Sequence, residues 1–227
     1  MPVRIDRVGG AANTWIVGDD AEVIVIDPGS ESEAVLDRVG QREILAVICT
    51  HGHAGHVAAA LDVAGRDEAP VALHPDDRLA WTEVHPGVDP EIAMEDGGIF
   101  TVADVALEVI HAPGHSPGSV VIYSEDLETV FAGDVLTLTG PVAREDGFPD
   151  FPRQLSSIGE QVLTLPAVTR VLPGHGEEFT VAVAEKRFDF WVAAGPDAAG
   201  PDAASGDFAA GSDRAAAGGV DGPSGIG

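Results

Sequence analysis

The sequence predicts a single layered domain of mixed helix and strand, α/β or α+β, and three observations carry that reading. Short apolar runs alternate with segments of helical pattern along most of the 227 residues, as a layered fold requires. No unit of roughly 20–50 residues repeats, which excludes a solenoid or a propeller. The composition, 44% apolar and 22% charged, is that of a chain able to bury a core.

Each element follows from local signals. Glu22 to Asp27 is a buried strand closed by Pro28-Gly29. Ser30 and Glu33 have capping-box spacing, so a helix should open there and run to about Val39. Ile44 to Thr50 is a second buried strand, and it runs straight into a histidine cluster. Val57 to Gly65 reads as a helix, Pro70 to His74 as a strand, and Asp76 to Val84 as a helix behind Pro75. Phe100 to Ile110 and Ser119 to Tyr123 read as strands, followed by a turn at Ser124–Leu127 and a strand at Thr129–Ala132. A helix from about Pro152 to Leu165 precedes a strand at Thr169–Leu172. The last helix spans Val181 to Ala194, with Phe188, Trp191 and Val192 turned inward.

From Gly195 the texture changes. Residues 195–227 hold nine Gly and nine Ala, with Phe208 as the only aromatic. Such a segment has too little apolar surface to offset its ordering entropy. The expected organisation is a domain at 1–194 and a disordered tail at 195–227.

Thirty-eight acids against twelve bases leave a net charge of −26. A surface of that sign repels phosphate backbones and anionic membranes, so nucleic-acid and lipid partners are not expected. The acids are scattered rather than massed, as a solubility adaptation would leave them. No apolar run approaches the ~18 residues of a membrane span. The Met-Pro-Val-Arg-Ile-Asp start lacks a signal-peptide layout. The single cysteine, Cys49, cannot form an internal disulfide. A cytoplasmic protein with a small-molecule substrate is expected.

Seven residues that could carry chemistry stand at strand ends or in turns. His51, His53 and His56 lie in Thr50-His-Gly-His-Ala-Gly-His56, and His111 and His115 in His111-Ala-Pro-Gly-His-Ser-Pro-Gly118. Asp134 follows Phe131-Ala-Gly, and His175 lies in Leu172-Pro-Gly-His-Gly176. Carboxyl ends of strands open onto the ligand crevice of such sheets, so segments distant in sequence can meet there. Packing explains three closely spaced histidines poorly, because each would need a buried hydrogen-bond partner. A divalent ion explains them directly, since neutral imidazole suits Zn²⁺, Fe²⁺, Mn²⁺ or Ni²⁺.

The ordered set HxHxxH, PGHSPGS, AGD and PGHG resembles the metallo-β-lactamase-fold hydrolases, over nearly all of residues 10–180. The resemblance implies an α+β, four-layer αββα sandwich with the site at one edge. It implies that His51, His53 and His115 hold a first metal, His56 and His175 a second, and Asp134 bridges the two. His111 falls outside that ligand set and, with His74 and His85, is assigned a structural or substrate-side role. Asp27 would brace the metal loops through hydrogen bonds. The family's first motif normally reads HxHxDH, and here Gly55 stands where the aspartate belongs. One or two ions remain open, with Zn²⁺ expected and Fe²⁺ the alternative.

The sequence looks most like the glyoxalase II-like branch, which hydrolyses thioesters of small thiol carriers through a metal-bound hydroxide. In place of the helical C-terminal domain with which glyoxalase II holds glutathione, a disordered tail is expected, which leaves the carrier open. Two alternatives remain: a mononuclear iron enzyme like the persulfide dioxygenases, and a non-catalytic metal-binding relative. Among other residues, Cys49 reads as a small core hydrophobe and Trp81 as a helix anchor or a pocket wall. Arg144, Glu145 and Asp146 read as a solvated polar loop, with replacement of the missing ligand by one of its acids as the alternative.

Overall fold

Strands that are apolar on both faces have to be covered twice, and alternation along the chain shows how this is done. A computed structural model describes residues 2–143 and 150–196. Its first sheet runs β1 (Arg4–Gly9), β2 (Asn13–Gly18), β3 (Glu22–Ile26), β4 (Glu43–Ile48), β5 (Val71–Leu73) and β6 (Ile92–Ala93), in that spatial order. The first three strands are an antiparallel meander, and β3 to β6 are parallel. Helices α1 (Ser32–Val39), α2 (Ala54–Val57), α3 (Ala60–Gly65) and α4 (Arg78–Val84) lie in the parallel crossovers.

The second sheet comprises β7 (Ile99–Val102), β8 (Val105–His111), β9 (Val120–Ser124), β10 (Thr129–Gly133), β11 (Arg170–Pro173) and β12 (Phe179–Thr180). Sequence neighbours are spatial neighbours throughout, and only β10 and β11 pair in parallel. The crossover between those two carries α5 (Phe151–Ser157), and α6 (Val181–Ala194) follows β12.

Three buried clusters separate four layers. Val23, Val25 and Val47 of the first sheet pack on Val35, Val39, Val63 and Trp81 of the helices. Ile24, Ile26 and Ile48, on the opposite face, meet Leu107, Val109, Ile122, Phe131 and Leu172 of the second sheet. There the indole of Trp15 and the ring of Phe131 meet edge-on, with centroids 6.3 Å apart. Val121, Val130, Ala132 and Val171 pack outward on Ile158, Ala184 and Trp191. The molecule is an α+β sandwich in the order helix, sheet, sheet, helix.

Several expected boundaries differ. Phe100 to Ile110 is two strands, β7 and β8, joined at Ala103 and Asp104 with φ of 47° and 65°. The apolar pattern passes unbroken through that turn, which has neither glycine nor proline. The Ser30–Glu33 capping box does not form: Glu31 is the N-cap of α1 and makes no side-chain cap bond. The helix expected at Val57–Gly65 starts earlier and divides into α2 and α3, which places His56 in α2. The helix expected to reach Leu165 stays α-helical only to Ser157 and continues as one π turn to Val162. On α6, Trp191 is buried and Phe188 half-buried as expected, whereas Val192 is 51% exposed. Strands β1, β2, β6 and β12 were not anticipated. The segment 197–227 and the loop residues Arg144, Glu145 and Asp146 lie outside the described residues. No helix among the described residues is long and apolar enough to cross a membrane.

Candidate metal centre

Five strands deliver the polar groups to one edge. β3 ends at Asp27, β4 at Thr50 and His51, β8 leads to His115, β10 to Asp134 and β11 to His175. Of the seven expected residues, six converge there. His51, His53 and His115 form one group with mutually close ligand atoms, and His56, Asp134 and His175 form another. A further grouping, Asp27, His51 and His56, overlaps both.

Ring nitrogens from different turns approach one another closely here. His53 Nδ1 lies 3.0 Å from His115 Nε2, and His56 Nε2 lies 3.3 Å from His175 Nε2. Imidazole nitrogens bound about 2.0–2.1 Å from a tetrahedral ion sit about 3.3–3.4 Å apart, so the second spacing matches one and the first is a few tenths of an ångström shorter. Asp134 lies between the groups: its Oδ2 is 3.3 Å from both His56 Nε2 and His175 Nε2, and 3.7 Å from His115 Nε2.

Two buried polar atoms at this point have no hydrogen-bond partner, His51 Nε2 and Asp134 Oδ1. Leaving such atoms unsatisfied costs roughly 1–3 kcal/mol each. A cation between the groups would satisfy both, and the residues present therefore fit a divalent metal.

Electrostatics agree with that fit. Burial, helped by His56 and His115, holds His51 well below the ordinary histidine value, and burial also lowers His115. Burial thus favours the neutral form of both rings, which offers a lone pair. For His56, burial opposes the charge, but Asp134 and Asp27 outweigh it and push the pKa up to about 10. A hydrogen bond to Asp134 raises His175 against its own burial. Burial likewise works against the charge on Asp134, yet His56 and the bond from His175 hold it well below the carboxylate range. The raised His56 and His175 mean that cation binding by this group would compete with protonation.

The shell around the ligands is fixed by hydrogen bonds. Asp27 accepts from the Thr50 amide and hydroxyl, each at 2.7 Å, and from His56 Nδ1 at 3.1 Å. This is the bracing role expected of it. Asn13 donates to the carbonyls of Pro173 and Gly176, and Trp15 Nε1 to that of Pro173, which pins the loop bearing His175. Gln154, fully buried, donates to the carbonyls of Asp134 and Val135. Asp77 accepts from Gly52, Ser116 and Gly118. Sequence reasoning missed these last four, because their partners are distant in the chain and no local motif marks them.

Glycines are needed for space beside Asp134. A Cβ on Gly174 would lie 2.5 Å from Asp134 Oδ1 and 2.6 Å from His56 Cε1, and one on Gly133 would run into the Thr50 hydroxyl. Gly55 differs: a Cβ there meets nothing within 4 Å. Its missing side chain leaves open space beside His56.

The remaining histidines stay outside the centre. His111 stacks on His74, centroids 4.2 Å apart and planes 9° from parallel, and its Nε2 donates to the Pro117 carbonyl. His85 Nε2 donates to the Val57 carbonyl. These contacts lie apart from the six converging residues, and His74, Asp76 and His111 form a separate group of mutually close ligand atoms. Trp81, on α4, is fully buried with its indole bonded to the Val88 carbonyl, so it anchors that helix. Cys49 is a buried core residue whose thiol burial pushes up, away from reactivity.

Comparison with known proteins agrees with the architecture. The family model described as the metallo-beta-lactamase superfamily matches residues 7–175. A probable metallo-hydrolase of Bacillus subtilis, YqgX, is 31% identical over 194 residues, 79% of this chain and 92% of its own. The hydroxyacylglutathione hydrolase GloC of Haemophilus influenzae is 28% identical over 74% of this chain and 86% of its own. Among solved structures, the B3 metallo-beta-lactamase BLEG-1 superposes with a TM-score of 0.72 at 27% identity, covering 83% of this chain and 99% of its own. TTHA1623, solved in a di-iron-bound form, gives a TM-score of 0.66 at 29% identity, covering 83% of this chain and 100% of its own.

Proposed function

Because the chain belongs to the metallo-beta-lactamase superfamily, we propose that it is a metal-dependent hydrolase acting on a small-molecule thioester. The observation that carries this reading is the pair of unpartnered buried atoms, His51 Nε2 and Asp134 Oδ1, at the meeting point of five histidines. His51, His53 and His115 would hold a first ion, His56 and His175 a second, with Asp134 shared. A bound divalent ion supplies a Lewis acid and a water nucleophilic at neutral pH.

The chain's own groups do the rest. Asp134, held well below the carboxylate range and tied through its backbone carbonyl to Gln154, would supply a fixed negative charge to orient a water nucleophile. A leaving group that departs unaided asks least of such a centre. Thiols, with pKa about 8.5, do so far more easily than alcohols. The similarity to GloC, named a hydroxyacylglutathione hydrolase, supports the same substrate class. Gly55 takes a carboxylate away from the second group, so the first group would retain its ion more strongly. Zn²⁺ suits the three-histidine set, and Fe²⁺ is the alternative that the di-iron form of TTHA1623 supports. A lone cysteine and a charge of −26 support a cytoplasmic site of action without a nucleic-acid partner.

The test is elemental analysis of protein purified without air, with a panel of small thioesters run on the wild type and on His53→Ala. Thioester turnover by the wild type and its loss in His53→Ala is the expected result. Equal turnover in both would remove the reading. Iron accompanied by oxygen consumption on a persulfide would replace it with the dioxygenase-like alternative.

A further inference from the structure

Resting on the metal-centre reading above, the geometry points to Asp77 as a positioning residue for the three-histidine group: its carboxylate joins the turn bearing His51 and His53 to the turn bearing His115, and so sets the affinity of that group alone for a divalent ion. We infer this from three hydrogen bonds and two close contacts.

Asp77 is 2% exposed and ends the short 3-10 turn Pro75–Asp77 ahead of α4. Its Oδ2 accepts from the Gly52 amide at 2.8 Å and the Ser116 hydroxyl at 2.6 Å, and its Oδ1 accepts from the Gly118 amide at 2.6 Å. Gly52 stands between His51 and His53, and Ser116 follows His115. The two ligand turns come from different sheets, after β4 and β8, and this carboxylate binds both. The turns close on it because they lack side chains there. A Cβ on Gly52 would lie 2.8 Å from the Asp77 carbonyl oxygen, and one on Gly118 would lie 2.8 Å from the Asp77 carboxyl carbon.

The chemistry requires an anion. Three donors converge on two oxygens, which only an ionised carboxylate accepts at both ends. Asparagine, of the same shape, turns an NH₂ toward one of those donors. The second group is held differently. His56 is bonded to Asp27, the His175 loop to Asn13, and the Asp134 backbone to Gln154. None of those bonds involves Asp77, so its effect is selective between the groups, and a general loss of stability would not be.

The test is titration of the metal-free full-length chain with Co²⁺ against a chromophoric chelator, in two backgrounds. His175→Ala leaves the three-histidine group intact, and His53→Ala leaves the His56, Asp134 and His175 group intact. Asp77→Asn is expected to lower Co²⁺ affinity about 10–100-fold in the first background, the usual effect of losing a partner that orients ligands. In the second background it should change affinity by less than about threefold, as expected for a site with which it shares no partner. Equal losses in both, or no loss in the first, would overturn the inference. If Asp77→Asn does not fold, Ser116→Ala carries the same comparison. It removes one bond to a charged group and should cost about tenfold in the first background only, and its silence there would overturn the inference. Failure of the otherwise wild-type chain to bind Co²⁺ at all would overturn this inference together with the metal-centre reading, and so is distinct from failure of the Asp77 role alone.

Discussion

Asp27 binds the Thr50 amide, the Thr50 hydroxyl and His56 Nδ1 with one carboxylate, from a backbone at φ 50°. Asp27→Ala strands all three donors, and metal affinity measured by chelator competition should fall about 10–100-fold. Gly174→Ala should act on the second group, because the added methyl meets Asp134 and His56 directly. Metal analysis should show loss of the ion held there while the three-histidine group keeps its own. Gly55→Asp should do the opposite, since the space is open and a charged ligand is restored. An unchanged metal content in Gly55→Asp would mean that the open space does not face the ion. At this scale the six converging residues were legible, because each sits in a short motif rich in glycine or proline at a strand end. Asp77, Asn13, Trp15 and Gln154 were not. Asn13 bonds to Pro173 and Gly176, partners 160 and 163 residues away, and no local pattern encodes such a distance.

The sheets face each other through Phe131, Ile122 and Leu107 on one side and Ile24, Ile26 and Trp15 on the other. Phe131→Ala should cost about 3–5 kcal/mol, read from urea unfolding of the metal-free protein. A loss below about 1 kcal/mol would mean that the inter-sheet core repacks freely. The stacked rings of His74 and His111 also join the two sheets, after β5 and at the end of β8. Burial, and next the proximity of His111, hold His74 below its ordinary 6.5, against the opposing charges of Asp76, Asp77 and Asp96. A folded state that takes up its proton later than the unfolded chain loses stability as pH falls below 6.5. The unfolding midpoint should therefore drop less between pH 7.5 and about 5.5 in His74→Gln than in the wild type. Identical pH slopes would contradict this. Buried strands such as β3, β4 and β10 were legible as apolar runs. β1, with its alternating charges, and the two-residue strands β6 and β12 were not, because pairing with neighbours rather than composition defines them. The β7–β8 turn stayed hidden for a related reason: Ala103 and Asp104 adopt positive φ without a glycine to announce it.

Across the whole molecule, a charge of −26 on 227 residues makes self-repulsion a standing cost of the compact state. Raising salt from about 0.01 M to about 0.15 M shortens the screening length from roughly 30 Å to roughly 8 Å, so the thermal midpoint should rise with salt. A flat response would mean that the local ion pairs already neutralise the field. The sandwich order was legible in outline from alternating elements, while the pairing of its two sheets rests on contacts between strands far apart in the chain. Their meeting edge is where five strand ends bring His51, His53, His56, His115, Asp134 and His175 together, and the proposed chemistry depends on a cation at that edge. Elemental analysis of the reconstituted, desalted protein tests this most directly, with the wild type set beside His51→Ala. The wild type should retain at least one divalent ion per chain and the variant less. A wild type that comes back free of bound divalent ions would contradict the account.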